Sequence, residues 1–241
     1  MGARVVLVTG STSGIGEATA KRFAALGDTV VFNSRSSAEE GERLAAATPG
    51  SAYLRADISN AQECEGLIRQ VLERYGQLDV LVNNAGATKV IPHHDLEAAS
   101  VEVWREIFEV NVFGTWQLSV AAIPALKESR GSIVIVSSIA GIRPTGSSIP
   151  YAVSKAALNH LTTLLAKVVG PEVRVNAVAP GLIDTPWTAD WDAIRGFVQS
   201  AAPLRRSGTP EDVAEVIVAL ATTTYVTGQI VVVDGGLTLA V

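Results

Sequence analysis

The 241-residue chain has one cysteine, Cys64, and three histidines. A single thiol excludes an intramolecular disulfide and any cysteine-rich metal site. Glu63 and Glu65 flank Cys64 and disfavour a thiolate, so an inert thiol is expected. His93 and His94 show no metal-ligand pattern, and no metal site is expected. A basic surplus is missing too: the net charge is −5, which argues against a general nucleic-acid binder. No apolar run reaches the roughly 18 residues of a membrane-spanning helix. The N-terminus enters an apolar strand at Val5 and has no small-residue cleavage site, so no secretory signal is expected. These absences are compatible with a cytoplasmic protein.

What remains is apolar for its class, 48% hydrophobic against 18% charged, a composition suited to a parallel sheet buried on both faces. Short β-rich runs at 4–9, 29–33, 52–55, 80–83, 132–137, 174–179 and 229–233 alternate with helical patterns near 14–26, 37–47, 61–75, 100–128, 151–169 and 210–221. Alternation of this kind implies βαβ units. With no linker, low-complexity tract or internal repeat, one domain over 1–241 is expected. The fold class is α/β, a doubly wound parallel sheet of about seven strands with helices on both faces; seven strands are too few for an eightfold barrel.

The first run ends in Thr9-Gly10-Ser11-Thr12-Ser13-Gly14-Ile15-Gly16 and leads into a helix. Glycines let the backbone turn tightly and approach a pyrophosphate, and a helix N-terminus offers N–H groups and a positive dipole end to it. The strand–loop–helix context is that of a Rossmann-type dinucleotide site, although the spacing is G-x-x-x-G-x-G. An acid near the end of the second strand would select NAD(H) through the ribose hydroxyls. None occurs before Glu39; Ser34 and Arg35 stand there instead, a hydroxyl and a planar fork suited to a 2′-phosphate. NADP(H) is therefore favoured over NAD(H), the alternative being that Arg35 is a solvated loop arginine.

Tyr151 and Lys155 lie four residues apart, with Ser138 thirteen residues before Tyr151. On a helix this spacing puts the two on one face. A tyrosine hydroxyl has an ordinary pKa of about 10, and a neighbouring ammonium favours the phenolate. Y-x-x-x-K alone occurs by chance, so its weight depends on the rest of the chain.

Taken together, these motifs resemble those of the short-chain dehydrogenase/reductase family, and within it the 3-oxoacyl reductases. The resemblance covers nearly the whole chain: the 9–16 loop, Asp57, Asn83-Asn84-Ala85-Gly86, Asn111, Ser138, Tyr151-x-x-x-Lys155, Pro180-Gly181 and Asp234-Gly235-Gly236. It implies hydride transfer between a nicotinamide and a ketone or secondary alcohol. Tyr151 would be the general acid or base, and Ser138 would orient the substrate oxygen. Lys155 would lower the tyrosine pKa and hold the ribose, and Asn111 would anchor a water relay. Asp57 and Ile58 would face the adenine, Asn84, Ala85 and Gly86 would wall the adenosine side, and Pro180, Gly181, Ile183 and Thr185 would clamp the carboxamide. The resemblance further implies a mobile lid over about 186–203 and a homotetramer or homodimer.

Trp187, Trp191 and Ile194 have spacings of four and three, as if on one helical face. They either wall the substrate or pack the lid. Arg205 and Arg206 are surface charges unless the substrate carries a carboxylate or phosphate. Candidate substrates are a 3-oxoacyl thioester, a cyclic or steroidal ketone or a sugar-like ketone. The other readings are an NAD-dependent secondary alcohol dehydrogenase and a non-catalytic dinucleotide sensor on the same fold.

Overall fold

The computed structural model describes residues 3–240. Its first strand, β1 (Val5–Val8), is buried along its whole length. Alternate side chains leave opposite faces, so Val5 and Leu7 enter one apolar cluster while Val6 and Val8 enter the other. The same division applies to β2 (Thr29–Ser34), β4 (Val80–Asn83), β5 (Ser132–Val136) and β6 (Arg174–Pro180). With β3 (Ala52–Arg55) and β7 (Ile230–Val233) they form one seven-stranded sheet of order β3-β2-β1-β4-β5-β6-β7, every pair parallel. The doubly wound α/β expectation describes this sheet.

Helices α1 (Gly14–Ala25), α2 (Ala38–Ala46) and α8 (Pro210–Thr222) cover one face, and α3 (Ala61–Tyr75) with α5 (Thr115–Ser129) and α6 (Ile149–Val169) covers the other. Chain order runs outward from β1 through β2 to β3, then jumps back to β4 on the other side. The crevice at the carboxyl ends of β1 and β4 is the switch point where open sheets of this kind take ligands.

Two helical expectations need correction. The run expected at 100–128 is α4 (Val101–Phe108), a π-helical segment (Glu109–Gly114) and α5. Periodicity could not show the break, because its causes are tertiary. Asn111 is buried and bonded to Ala87, and a Cβ at Gly114 would lie 2.9 Å from the Ile58 carbonyl oxygen. A further helix, α7 (Asp192–Ala201), lies in the segment expected to form a lid. Helix α6 begins two residues before Tyr151, capped by Ser148, whose hydroxyl accepts from the Tyr151 N–H.

No helix among the described residues is long and apolar enough to cross a membrane. Cys64 is fully buried, and burial with nearby acids pushes its thiol up to about 11.

Candidate active site

One cleft of about 980 Å³ opens at the switch point and runs from Arg35 to the Trp187–Phe197 region. Its floor begins with the 9–16 loop. Gly10 and Gly14 have φ of +60° and +54°, a backbone that side-chain-bearing residues rarely adopt. Gly16 faces inward: a Cβ there would overlap the Gly10 carbonyl oxygen. Thr9 Oγ1 accepts from the Asn84 and Ala85 N–H groups, both at 3.0 Å, and Asn84 Nδ2 donates to the Thr9 and Gly10 carbonyls at 2.9 and 3.0 Å. Asn84 thus holds the loop in shape through its side chain.

Ser13 precedes α1, and its side chain makes no capping hydrogen bond. Thr12, Ser13, Gly14 and Ile15 all line the cleft. An uncapped helix end with glycine on its approach fits the pyrophosphate of a dinucleotide. Ser11 and Gly16 do not line the cleft; the Ser11 hydroxyl accepts from the Asn33 N–H at 2.9 Å, tying the loop to β2.

At the far end, Arg35 and Asp57 flank the cleft, 3.7 Å apart, with the Arg35 side chain 67% exposed. Burial would raise the Asp57 carboxyl, but hydrogen bonds from Ser59 and the adjacent guanidinium outweigh it and hold the pKa low. Ile58 lines the cleft beside Asp57. Ser34 also lines it, but its hydroxyl is already engaged, 2.9 Å from the Tyr53 hydroxyl and accepting from the Ser37 N–H at 3.2 Å. Exposed Ser36 lines the same end and carried no sequence signal.

Tyr151, Lys155 and Ser138 converge near the middle of the cleft. Ser138 leaves β5 in extended backbone and caps the short turn Ile139–Gly141, accepting from the Ala140 N–H at 3.1 Å. That turn rests on α6 because Gly141 has no side chain; a Cβ there would lie 2.6 Å from the Lys155 carbonyl carbon. Neighbouring Ser137 donates to the Lys155 carbonyl at 3.2 Å. Lys155 is 5% exposed, and its Nζ donates to the Val136 carbonyl at 2.9 Å. Burial lowers its pKa to about 8.

The Tyr151 phenol moves the opposite way from the expectation. Burial pushes its pKa up, and the Ser138 hydroxyl pulls it down less strongly. The lysine does not reverse this because its Nζ lies over the tyrosine ring, 5.6 Å from the centroid, and bonds to Val136. Asn111 lies behind the cleft. Its Oδ1 accepts from the Ala87 N–H at 2.7 Å, and its Nδ2 donates to the Ala87 carbonyl and the Ser154 hydroxyl. Its side chain braces the loop after β4 and does not itself line the cleft.

Ala85, Gly86, Pro180, Ile183 and Thr185 line the cleft, whereas Gly181 packs against Asp234. Thr185 reaches over the phosphate loop, its methyl 3.2 Å from where a Gly14 Cβ would stand. Gly86 faces three groups at once: Asn111 Oδ1, Lys155 Nζ and Trp187 Cη2 lie 3.4, 3.8 and 3.9 Å from its Cβ direction. A side chain at 86 would fill this space, which fits the close approach of a ribose.

Trp187, Trp191, Ile194 and Phe197 all line the cleft, but not from one helix. Trp187 belongs to a 3-10 turn (Pro186–Thr188), Trp191 caps α7, and Ile194 lies within it. A further part of the lining, Val90 to His93 with Gly146 and Ser147, is one that sequence reasoning largely missed. It is tied by Ile91 N–H to the Ser147 carbonyl at 2.8 Å and His93 Nε2 to the Gly146 carbonyl at 3.1 Å. Arg205 and Arg206 do not line the cleft, and Arg206 pairs with Asp212 at 2.6 Å.

A parallel-sheet crevice with an open helix end, and hydroxyls beside a buried amine, define a nicotinamide-dinucleotide oxidoreductase. The sequence matches the family profile described as enoyl-(acyl carrier protein) reductase over residues 10–238. It is 58% identical over 238 residues to a Streptomyces violaceoruber protein named as ketoacyl reductase 2 of the granaticin polyketide synthase, spanning 97% of this chain and 96% of that one. A short-chain dehydrogenase/reductase structure from Burkholderia xenovorans superposes with a TM-score of 0.93 at 35% identity, covering 99% of each chain. A structure of ElxO with NADP bound gives a TM-score of 0.90 at 28% identity, covering 98% and 99%. The chain belongs to the short-chain dehydrogenase/reductase family, whose members act on CH–OH and C=O groups with nicotinamide cofactors.

Proposed function

We propose that this chain is an NADPH-preferring carbonyl reductase acting on 3-oxoacyl-type ketones, with Tyr151, Ser138, Lys155 and Asn111 as its catalytic set. The observation that carries this reading is the convergence of the Tyr151 and Ser138 hydroxyls beside the buried Lys155 ammonium, in the cleft that begins at an uncapped helix end. A bound nicotinamide dinucleotide supplies the hydride. Charge that develops on the substrate oxygen meets two hydroxyl donors; Ser138 orients the oxygen and Tyr151 delivers its proton to it. A phenol held neutral by burial suits the acid role in reduction. Lys155, cationic below about pH 8, stabilises the phenolate left behind. Asn111 holds the Ala87 backbone through two hydrogen bonds and ties it to α6 by a third, to the Ser154 hydroxyl.

Arg35 supports the choice of NADP(H): its exposed guanidinium lies at the adenosine end of the cleft, no acid follows β2 before Glu39, and the ElxO relative holds NADP. The segment 186–203 serves as the lid. A homotetramer or homodimer is supported by exposed Phe113 of the π segment, Trp116 and Val120 of α5, and Val153, Leu164 and Val168 of α6. We place the enzyme in the cytoplasm, where the Cys64 thiol stays reduced.

The test is nucleotide oxidation with a 3-oxoacyl thioester, with a 2-enoyl thioester as control for the enoyl chemistry in the family description. Faster consumption of NADPH than NADH, with the 3-oxoacyl compound only, is the expected result. Turnover of the enoyl compound alone would replace the assignment.

A further inference from the structure

We infer that the substrate is a ketone on a bulky apolar body, uncharged near the carbonyl, rather than a polyol or a small polar ketone. The inference rests on the carbonyl-reductase reading above and narrows it.

The argument begins with α7. Its Val198, with Ala202 just after the helix, turns inward and packs with Ile139, Leu182 and Leu237 in a small apolar cluster. This leaves Ile194 and Phe197 on the cleft side, 47% and 52% exposed. Trp187, on the preceding turn, is 47% exposed in the same cleft. Val90, 65% exposed, and Ile91, buried at 5%, line the same cleft. Segments about a hundred residues apart thus contribute apolar side chains to the lining of one cleft, with Val90, Trp187, Ile194 and Phe197 the exposed ones and Ile91 packed behind them on Val103 and Ile107. Large apolar residues scattered singly on a surface need no explanation, but several gathered in the cleft that holds a reactive centre mark where an apolar ligand is desolvated.

The polar groups are as informative. The Ser138 and Tyr151 hydroxyls supply what a single carbonyl oxygen requires. Beyond Lys155, Asp190 is the one formal charge lining this end among the described residues, and it disfavours an anionic substrate. His93 spends one ring nitrogen on the Gly146 carbonyl. Arg205 and Arg206, which could have received a carboxylate or phosphate, lie elsewhere. The Ser147 hydroxyl, which also lines the cleft, is engaged by Thr88, so Thr145 and Asp190 are the main side chains left for further hydroxyls; a polyol satisfies fewer of its groups here than in water, a penalty that an apolar body escapes.

Each methylene buried in the cleft is worth about fourfold in affinity. The test compares kcat/KM with saturating NADPH for a 3-oxobutanoyl thioester, its 3-phenyl analogue, a fused bicyclic ketone and dihydroxyacetone. The phenyl and bicyclic compounds are expected to exceed the 3-oxobutanoyl thioester at least tenfold, with dihydroxyacetone slowest. In the double variant Ile194→Ser, Phe197→Ser this advantage should shrink to threefold or less. Reduction of the small thioester or dihydroxyacetone as fast as the bulky ketones overturns the inference while leaving the carbonyl-reductase reading intact. Should no ketone be reduced, the carbonyl-reductase reading fails. Quenching of tryptophan fluorescence by the bicyclic ketone and by dihydroxyacetone then decides: tighter binding of the bicyclic compound supports an apolar site, and equal binding overturns it.

Discussion

The Lys155 ammonium lies over the Tyr151 ring, 5.6 Å from its centroid, and donates to the Val136 carbonyl at 2.9 Å. The contact joins one turn of α6 to the end of β5. It places a buried charge beside the phenol without bonding to its oxygen, which leaves that oxygen to the Ser138 hydroxyl.

Removing the phenol oxygen tests the proton donor. Tyr151→Phe should lower kcat by about 10²–10⁴, the range of a lost general acid. NADPH affinity, read by fluorescence titration, should change by less than about threefold, because the ring remains. Ser138→Ala should lower kcat by about 10², with KM changed less, since it removes one donor to the developing charge. Retention of most of the activity in Tyr151→Phe would remove the tyrosine from the mechanism.

The buried lysine gives a pH dependence with a defined sign. Its folded pKa is depressed to about 8 from an ordinary value near 10.5, so the unfolded chain binds more protons between these values. Lys155 therefore penalises folding fully below about pH 8, and the penalty is relieved as pH rises through that window. Lys155→Met should melt at or above the wild-type temperature at pH 7, and the difference should fall by pH 9.5. Reduction rates in the wild type should decline above about pH 8, as the ammonium loses its proton. Calorimetry at the two pH values and a kcat/KM profile check both; a profile flat to pH 10 would contradict the role of the charge.

Arg35 and Asp57 form an exposed pair of the kind worth little in water, so the guanidinium is readily given up to a phosphate. Arg35→Ala should weaken NADPH binding at least tenfold and NADH binding less than threefold. Equal losses for both nucleotides, measured by titration, would remove the basis for NADP(H) preference.

Arg195 fastens the 186–203 segment. From α7 it donates to Asp184 at 2.9 Å, to Asp192 at 2.6 Å and to the Thr188 carbonyl at 3.1 Å. Asp184 also accepts from the Ser207 hydroxyl at 2.6 Å. This network joins the helix carrying Ile194 and Phe197 to the loop carrying Ile183 and Thr185. Arg195→Gln should raise the ketone KM severalfold and change kcat less, with partial rescue by Arg195→Lys. Limited proteolysis should cut the 186–203 segment faster in the glutamine variant. Unchanged KM and unchanged proteolysis would leave Arg195 a surface charge.

Local pattern was enough for the strand–helix alternation, the glycine loop and the spacing of Ser138, Tyr151 and Lys155. These features are local because period-2 and period-3.6 burial, turn chemistry and an i, i+4 face act over a few residues. Other features depended on partners far away in the chain. Asn111 faces Ala87 because a π segment turns it inward, Ser34 is engaged by Tyr53, and Gly181 packs on Asp234. The helical face assigned to Trp187, Trp191 and Ile194 dissolved into a 3-10 turn and a separate helix, yet all three reached the same cleft.

The sequence by itself determined the doubly wound α/β class and the residue types that can handle a dinucleotide and a carbonyl, because those follow from short-range patterning. Tertiary structure alone decided which way Lys155 points, that the Tyr151 phenol is pushed up by burial, and that the 90–93 loop and α7 line the same cleft. Sheet order sets those distances and burials, and sheet order is fixed by long-range packing, not by any run of neighbouring residues.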